Sequence, residues 1–332
     1  DLTGQIMDDK CASKEVLETA AKKSLYEKKR EEFSKEKGNL RRGMGMAFFF
    51  HGAAFTGSGE DRIKGQAGFR LGPDGTFTVL TACTDMGQGA HTTLAQMFYE
   101  EINHPAGKCQ VQLPNTSKTP NSGPTVASRT IYIIGNMLRR FAGEIIKELD
   151  CNNLEDYVLA NPQVFPKEFR TNFRADDSVI FDDEKYVGIA YKDYSWAACV
   201  TEIYYHADTY QIELKKNWSV IDIGKVVNDT IARGQAEGGI LQGLGYGTTE
   251  FFYKKGFGRM HGFTDYTLPT TLDIPDMHVE FIHTDSEIAK GLGEVPMDFP
   301  APSVRNAFLH ATGIKVDEYP LIPERIFNII KN

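Results

Sequence analysis

The 332 residues predict an α+β fold made of two related lobes of mixed sheet and helices. Three observations carry that expectation. Short apolar runs alternate or pair like hairpin strands, long 3.6-periodic stretches begin just after glycine-rich turns, and this order occurs twice. The first passage runs hairpin, Asp85-Met86-Gly87, Gln88 and helix; the second runs hairpin, Asp222-Ile223-Gly224, Gly234-Gln235 and helix. A chain this long exceeds the usual size of one core. The expected division is a lead helix over 1–40 that packs on a partner, a first lobe over 41–195 and a second over 196–332.

Ser13 is placed to cap the lead helix, whose thin apolar stripe of Val16, Leu17, Ala20, Leu25 and Phe33 ends before Gly38-Asn39. Ala47-Phe48-Phe49-Phe50 reads as a buried strand, and the small-residue loop His51–Gly59 follows it. The turn Pro73-Asp74-Gly75 joins Gly68–Leu71 to Phe77–Leu80 as a hairpin. Thr84–Thr93 then breaks into the helical pattern Leu94, Met97, Phe98, Ile102. Strand, glycine turn and helix start is an arrangement that aims backbone N–H groups at an anion, with Gln88, His91 and Thr92 as added donors.

A strand at Val111–Leu113 leads to a second polar helix start, Asn121–Thr130, and the apolar face Ile131, Ile134, Leu138, Phe141 and Ile145. Thr125, Ser128 and Thr130 are good caps there, and Arg129 has the fork that grips phosphate. A short helix is expected at Leu154–Leu159 within a Pro- and charge-rich excursion over 151–195. Ala197–Tyr205 and Tyr210–Asn217 alternate like paired strands, and the glycine-rich helix around Arg233–Gly243 suits close packing. Strands at Phe251–Tyr253 and Met277–Phe281, a helix around Val304–Leu309 and a terminal helix from Ile322 complete the chain.

Composition narrows the function. Hydrophobic residues at 41% and charged residues at 25% describe an ordinary soluble globular protein. A net charge of −8 argues against a phosphate-backbone binder, so no nucleic-acid partner is expected. No apolar run is long enough to span a bilayer, so no membrane role is expected. The five cysteines are scattered, with no C-x-x-C pair for zinc and no run for an iron–sulfur cluster, which fits a reducing cytoplasm. The sequence begins at Asp1 without a methionine, so a native start that was trimmed or left out is expected.

The stretch with the clearest chemistry is Lys290-Gly291-Leu292-Gly293-Glu294-Val295-Pro296. Two glycines and a proline shape a loop that presents one carboxylate, and a carboxylate whose pKa is lifted by burial serves as a general base near neutral pH.

Three stretches together resemble the xanthine dehydrogenase/aldehyde oxidase family of molybdenum hydroxylases: Asp85-Met86-Gly87-Gln88-Gly89-x-His91-Thr92, Ser122–Thr130 and Gly291-Leu292-Gly293-Glu294-x-Pro296. Arg41-Arg42-Gly43, Phe55-Thr56 and Gly234-Gln235-x-Glu237-Gly238 fit the same pattern, and Val227-Asn228-Asp229 departs from it where the family commonly has Asn-Pro. Only the second half of that family's molybdenum-binding region has a counterpart here. The organisation is most like the medium molybdopterin subunit of nicotinate dehydrogenases.

The resemblance implies molybdenum held by a molybdopterin dithiolene and not by protein side chains. The pterin is expected as a dinucleotide such as the cytosine form, with a terminal sulfido or selenido ligand on the metal. Gly87, Gln88, Gly89, His91, Thr92, Thr125, Ala127, Ser128, Arg129, Thr130 and Gln235 would bind the cofactor. Phe55 and Thr56 would contact the substrate ring, and Glu294 would deprotonate the attacking hydroxyl. It further implies partner subunits carrying the first half of the domain, the iron–sulfur clusters and FAD. The substrate is expected to be an electron-poor N-heteroaromatic ring, first nicotinate, with a purine as the alternative. A non-catalytic assembly subunit and an unrelated dehydrogenase are the other readings; an intact Glu294 counts against the first and the missing G-x-G-x-x-G against the second.

Overall fold

The hairpin forms where the turn residues put it. In a computed structural model of the chain, β2 (Gln66–Leu71) pairs antiparallel with β3 (Phe77–Leu80), Gly68 opposite Leu80 and Leu71 opposite Phe77. The structure describes residues 3–7, 11–148, 157–158, 160–176, 179–251, 262–264, 266–284 and 286–331. The forecast helix at Leu154–Leu159 and strand at Phe251–Tyr253 fall largely outside them.

From β3 the chain crosses through the helix Ala90–Glu101 to β4 (Cys109–Gln112), parallel to β3, and β5 (Lys167–Asn172) closes a sheet of order β4-β3-β2-β5. Phe69, Phe77, Phe98, Leu94 and Leu138 pack the core between this sheet and its helices. A small hairpin of β6 (Phe181–Asp182) and β7 (Val187–Gly188) stands apart.

The second sheet repeats the plan. The hairpin β8 (Tyr194–His206) and β9 (Gln211–Asp222) crosses through a long helix, Asp229–Thr248, to β10 (Asp276–Phe281), parallel to β9. Its fourth strand is β1 (Leu40–Gly52), antiparallel to β8, which gives the order β1-β8-β9-β10. Each sheet is thus a hairpin, an antiparallel flanking strand from elsewhere in the chain and a parallel strand reached over a helix, and the hairpin-to-helix part follows the repeated order in the sequence.

Three expectations change. The lobes do not divide at 41 and 196, because β1 pairs with a strand more than 140 residues later, from Leu40 opposite His206 to Gly52 opposite Tyr194. The lead helix is two helices, α1 (Ser13–Ser24) and α2 (Tyr26–Phe33), broken where Leu25 turns left-handed at φ 56°. No side chain caps its start; the residue before Ser13 is Ala12. Its buried residues Val16, Ala20 and Phe33 lie against Met44, Trp196, Ala198 and Val200 of the chain's own sheet, so this face does not await a partner. Finally, β8 is buried along nearly its whole length and does not alternate, because helices cover both of its faces.

The helix Pro300–Thr312 covers the other face so closely that Gly43 and Gly45 of β1 have no room for a side chain: a Cβ at Gly45 would enter the backbone of Ser303 and Ala307. Gly45→Ala is therefore expected to lower the stability of the folded chain by about 3 kcal/mol, read as a lower denaturant midpoint. A wild-type midpoint would show that the helix can move away at no cost.

Candidate active site

The two sheets meet at a cleft of about 420 Å³, and its wall is built from the turns that precede the helices of both lobes. Glu294 stands there at the start of a one-turn helix, Val295–Asp298, with 44% of its side chain exposed. The loop beneath it is pinned from several sides. Lys290 pairs at 2.6 Å with Asp222, which is wholly buried at the end of β9. The Ser195 hydroxyl donates to the Gly291 carbonyl at 2.6 Å, and the Asn136 amide donates to the Ala289 carbonyl at 3.0 Å. Gln235, on the long helix, donates to the Gly293 carbonyl at 3.4 Å.

Gly291 and Gly293 are needed for close approach, not for a left-handed backbone, since neither has a positive φ. A Cβ at Gly291 would lie 2.7 Å from the Ser128 Cβ, and one at Gly293 would lie 3.1 Å from the Ser128 hydroxyl. That contact lets Ser128 serve Glu294 twice. Its hydroxyl donates to Glu294 Oε2 at 3.0 Å and accepts from the Glu294 N–H at 3.0 Å. His51 approaches the same Oε2, its Nε2 at 3.4 Å, while Oε1 makes no hydrogen bond among the described residues.

Ser128 and Ala127 are both left-handed, at φ 53° and 52°, a conformation that costs a non-glycine residue of order 1 kcal/mol or more and persists only where its surroundings impose it. The imposing group is Arg129. Wholly buried, it forms a two-pronged pair with Glu60, Nε to Oε1 and Nη2 to Oε2 each at 2.8 Å, and its Nη1 donates to the carbonyls of Ser122 at 2.7 Å and Pro124 at 3.1 Å. With its donors committed inside the protein, the Arg129 guanidinium is not available to grip a phosphate, contrary to expectation. The chain after it forms a π-helix, Thr130–Gly135, before the α-helix Asn136–Glu148, and no side chain caps that start.

The first glycine turn is likewise self-satisfied. Asp85 accepts from the backbone N–H groups of Gly87, Gly89 and His91 at 2.9, 3.3 and 2.9 Å, so these donors are not left free for an anion. Burial works against the Asp85 charge, but the three N–H groups outweigh it and hold the carboxyl below its ordinary range. Gln88 folds back onto the Met86 N–H and the Thr84 carbonyl, and the His91 ring meets the Cys83 carbonyl at 2.9 Å.

Of the residues singled out in the sequence, the cleft brings together Gln88, Thr125, Ala127, Ser128, Thr130, Gln235 and Glu294; Arg129 reaches it only from behind. Gly87, Gly89, His91 and Thr92 do not line it. Nor do Phe55 and Thr56. Phe55 faces a separate cavity of about 220 Å³ with Tyr132 and Tyr191, and the Thr56 hydroxyl is bonded to that of Tyr191 at 2.5 Å. The small-residue loop turns at Ala54, φ 73°, just before Phe55. Sequence reasoning left out His51, Ser195, Asn136 and Glu60. Only His51 offers a local signal, a histidine at the mouth of a glycine-rich loop.

The sequence from 19 to 275 matches the model of the molybdopterin cofactor-binding domain. The chain belongs to the molybdopterin-binding domains of the xanthine dehydrogenase/aldehyde oxidoreductase family. A putative xanthine dehydrogenase molybdenum-binding subunit of Escherichia coli K12 is 26% identical over 342 aligned positions, which cover 94% of this chain and 45% of that protein. The aldehyde oxidoreductase of Megalodesulfovibrio gigas is 27% identical over 302, covering 88% of this chain and 32% of the relative. The fold agrees: the aldehyde oxidoreductase structure from Desulfovibrio gigas superposes with a TM-score of 0.88 at 24% identity, over 99% of this chain and 37% of that one. Quinoline 2-oxidoreductase from Pseudomonas putida 86 gives 0.80 at 21% identity, over 96% and 46%. The chain spans less than half the length of these proteins.

The cleft suits the family's cofactor on its own terms. Its wall is mainly apolar, with a few polar side chains converging from Gln88, Thr125, Ser128 and Gln235, which fits a flat pterin. Among the described residues no group of three or more His, Cys, Asp or Glu is placed to hold a metal, so a metal at this site would need ligands from elsewhere. In the family Asn-Pro position, Asn228 caps the long helix here by accepting from the Ile231 N–H at 3.0 Å.

Proposed function

We propose that this chain is the second half of the molybdopterin-binding region of a multi-subunit molybdenum hydroxylase, with Glu294 as its base. The observation that carries the reading is Glu294 on the cleft wall, one carboxylate oxygen fixed by Ser128 and the other free. Gln88, Thr125, Ala127, Ser128, Thr130 and Gln235 would hold the pterin, as a dinucleotide. A molybdenum centre held there would supply the two-electron oxidation. Glu294 Oε1 takes the proton of the oxygen that attacks the ring carbon.

The favoured substrate is an electron-poor N-heteroaromatic ring, nicotinate giving 6-hydroxynicotinate, with the oxygen drawn from water. Partner subunits would carry the first half of the domain, which closes the cleft, and the iron–sulfur clusters and FAD that remove the electrons. A soluble assembly of this kind works in the cytoplasm. Metal and pterin analysis of the purified complex, with a turnover screen of N-heterocycles in isotopically labelled water, tests the reading. Label in hydroxylated nicotinate is expected; turnover of purines alone would move the substrate, and absence of pterin would end the proposal.

Ser128→Ala removes both contacts to Glu294 while leaving the base present. A lost hydrogen bond to a charged group is worth about 1.5 kcal/mol or more, so kcat is expected to fall about tenfold with cofactor content unchanged. An unaltered kcat would show that Ser128 does not orient the base.

A further inference from the structure

A molybdopterin carries phosphate whether plain or as a dinucleotide, yet the donors that the sequence offers an anion are already engaged. Asp85 accepts from the N–H groups of Gly87, Gly89 and His91, and Arg129 is closed on Glu60 and on the carbonyls of Ser122 and Pro124. The charged residues that line the cleft, among those described, are Arg129, Lys225, Lys290 and Glu294. Buried carboxylates neutralise two of the cations, Glu60 for Arg129 and Asp222 for Lys290. The Lys225 ammonium has no ion pair and no hydrogen bond among the described residues. It is therefore the uncompensated cation of the wall, as Glu294 is its carboxylate.

The backbone under Lys225 is fixed. Gly224 turns left-handed at φ 64° just past the end of β9, and a Cβ there would lie 2.2 Å from the Ile288 carbonyl oxygen, so this turn requires glycine. The Lys225 N–H donates to that same carbonyl at 2.9 Å, and Gly224 forms a bridge with Ala289, on the loop that leads to Glu294. On its other side Lys225 borders a small cavity of about 60 Å³ that also faces Glu100, Glu101 and Glu287. Glu100 accepts from the Gln96 amide at 2.8 Å, Glu101 lies 3.8 Å from Arg139 and Glu287 is exposed; none of the three pairs with Lys225.

We propose that Lys225 receives a phosphate group of the cofactor and so fixes which way round the cofactor lies in the cleft. The inference rests on the cleft being the pterin site. A phosphate is drawn to the unpaired ammonium and repelled by the Glu294 carboxylate, and these two charges give the wall a polarity that an anionic ligand follows. An ammonium serves phosphate as a point charge on a flexible four-carbon stem, so it does not need the rigid fork that Arg129 has committed elsewhere.

Two measurements on the assembled complex test this, and neither needs turnover. In the first, amines of the wild-type complex are acetylated and Lys225 is followed by peptide mass spectrometry. Lys225 is expected to react in the cofactor-free complex and to be protected in the loaded one. Protection by plain molybdopterin assigns the pterin's own phosphate, and protection by the dinucleotide alone assigns the nucleotide's. In the second, pterin and molybdenum are measured during dialysis. Lys225→Met, which keeps the stem without the charge, should release both about tenfold faster than wild type, while Lys225→Arg should hold them nearly as well as wild type. The cofactor-free variants should share the wild-type denaturant midpoint. Equal acetylation of Lys225 with and without cofactor overturns the proposal, and so does a Lys225→Met complex that retains its cofactor or a Lys225→Arg complex that loses it just as fast. If Lys225→Met does not assemble, the acetylation of wild type decides. A wild-type complex that contains no pterin would instead strike the reading of the cleft.

Discussion

Glu294→Gln is expected to leave the assembled complex with its molybdenum and pterin and to lower kcat by about 10³-fold. The substitution is close to isosteric. The amide oxygen of the new side chain can still accept from the Ser128 hydroxyl, which lies 3.0 Å from Oε2, and the backbone N–H that donates to Ser128 is untouched. Gly291 and Gly293 stay packed on Ser128, so the loop keeps its path. Only the ability to take a proton is lost, and the effect should fall on kcat and not on cofactor binding. Metal and pterin content measured beside turnover separates the two; an active variant with full cofactor would remove Glu294 from the chemistry.

Glu60→Ala should be the most damaging substitution outside the cleft. Glu60 sits on a five-residue helix, Gly59–Ile63, and is buried against an Arg129 with no exposed surface. Removing it leaves a buried guanidinium with two of its four hydrogen bonds unmade. Breaking such a pair from one side costs about 3–5 kcal/mol. Arg129 also sets the path of the left-handed Ala127–Ser128 turn, so the loss should reach Glu294 through Ser128 and lower turnover in whatever fraction stays folded. Glu60→Gln, which keeps a hydrogen-bond acceptor, should cost less. Denaturant unfolding beside kcat reads both effects. Wild-type stability and turnover in Glu60→Ala would mean that the pair is incidental to the turn.

What the sequence made legible was local. Pro73-Asp74-Gly75 specifies its hairpin through backbone preferences that need no distant partner, and Gly291–Pro296 marks a shaped loop for the same reason. The repeated order of hairpin, glycine turn and helix showed through because each unit of a sheet with a helical crossover has its own periodicity. What stayed hidden depends on residues far apart in the chain. Arg129 reads as a phosphate grip until Glu60, 69 residues earlier, is placed against it. The partner of β1 lies beyond a whole second sheet, and nothing in Leu40–Gly52 encodes the register that seats His51 beside Glu294. Asp85 looks like one more polar residue of a ligand turn, yet its carboxylate fills the place an anion was expected to take. Phe55 follows a loop whose direction is set by the left-handed Ala54, a choice that the residue type does not announce.

A crystal structure of the assembled complex with its cofactor is the most direct test of the central claim that the cleft holds the pterin and Glu294 serves the metal centre. Pterin is expected between the Gln88 and Gln235 corners, with Glu294 the protein carboxylate nearest the metal and its Oε1 turned toward it. A metal centre remote from Glu294, or a cleft filled by side chains of the partner with no pterin in it, would contradict the assignment.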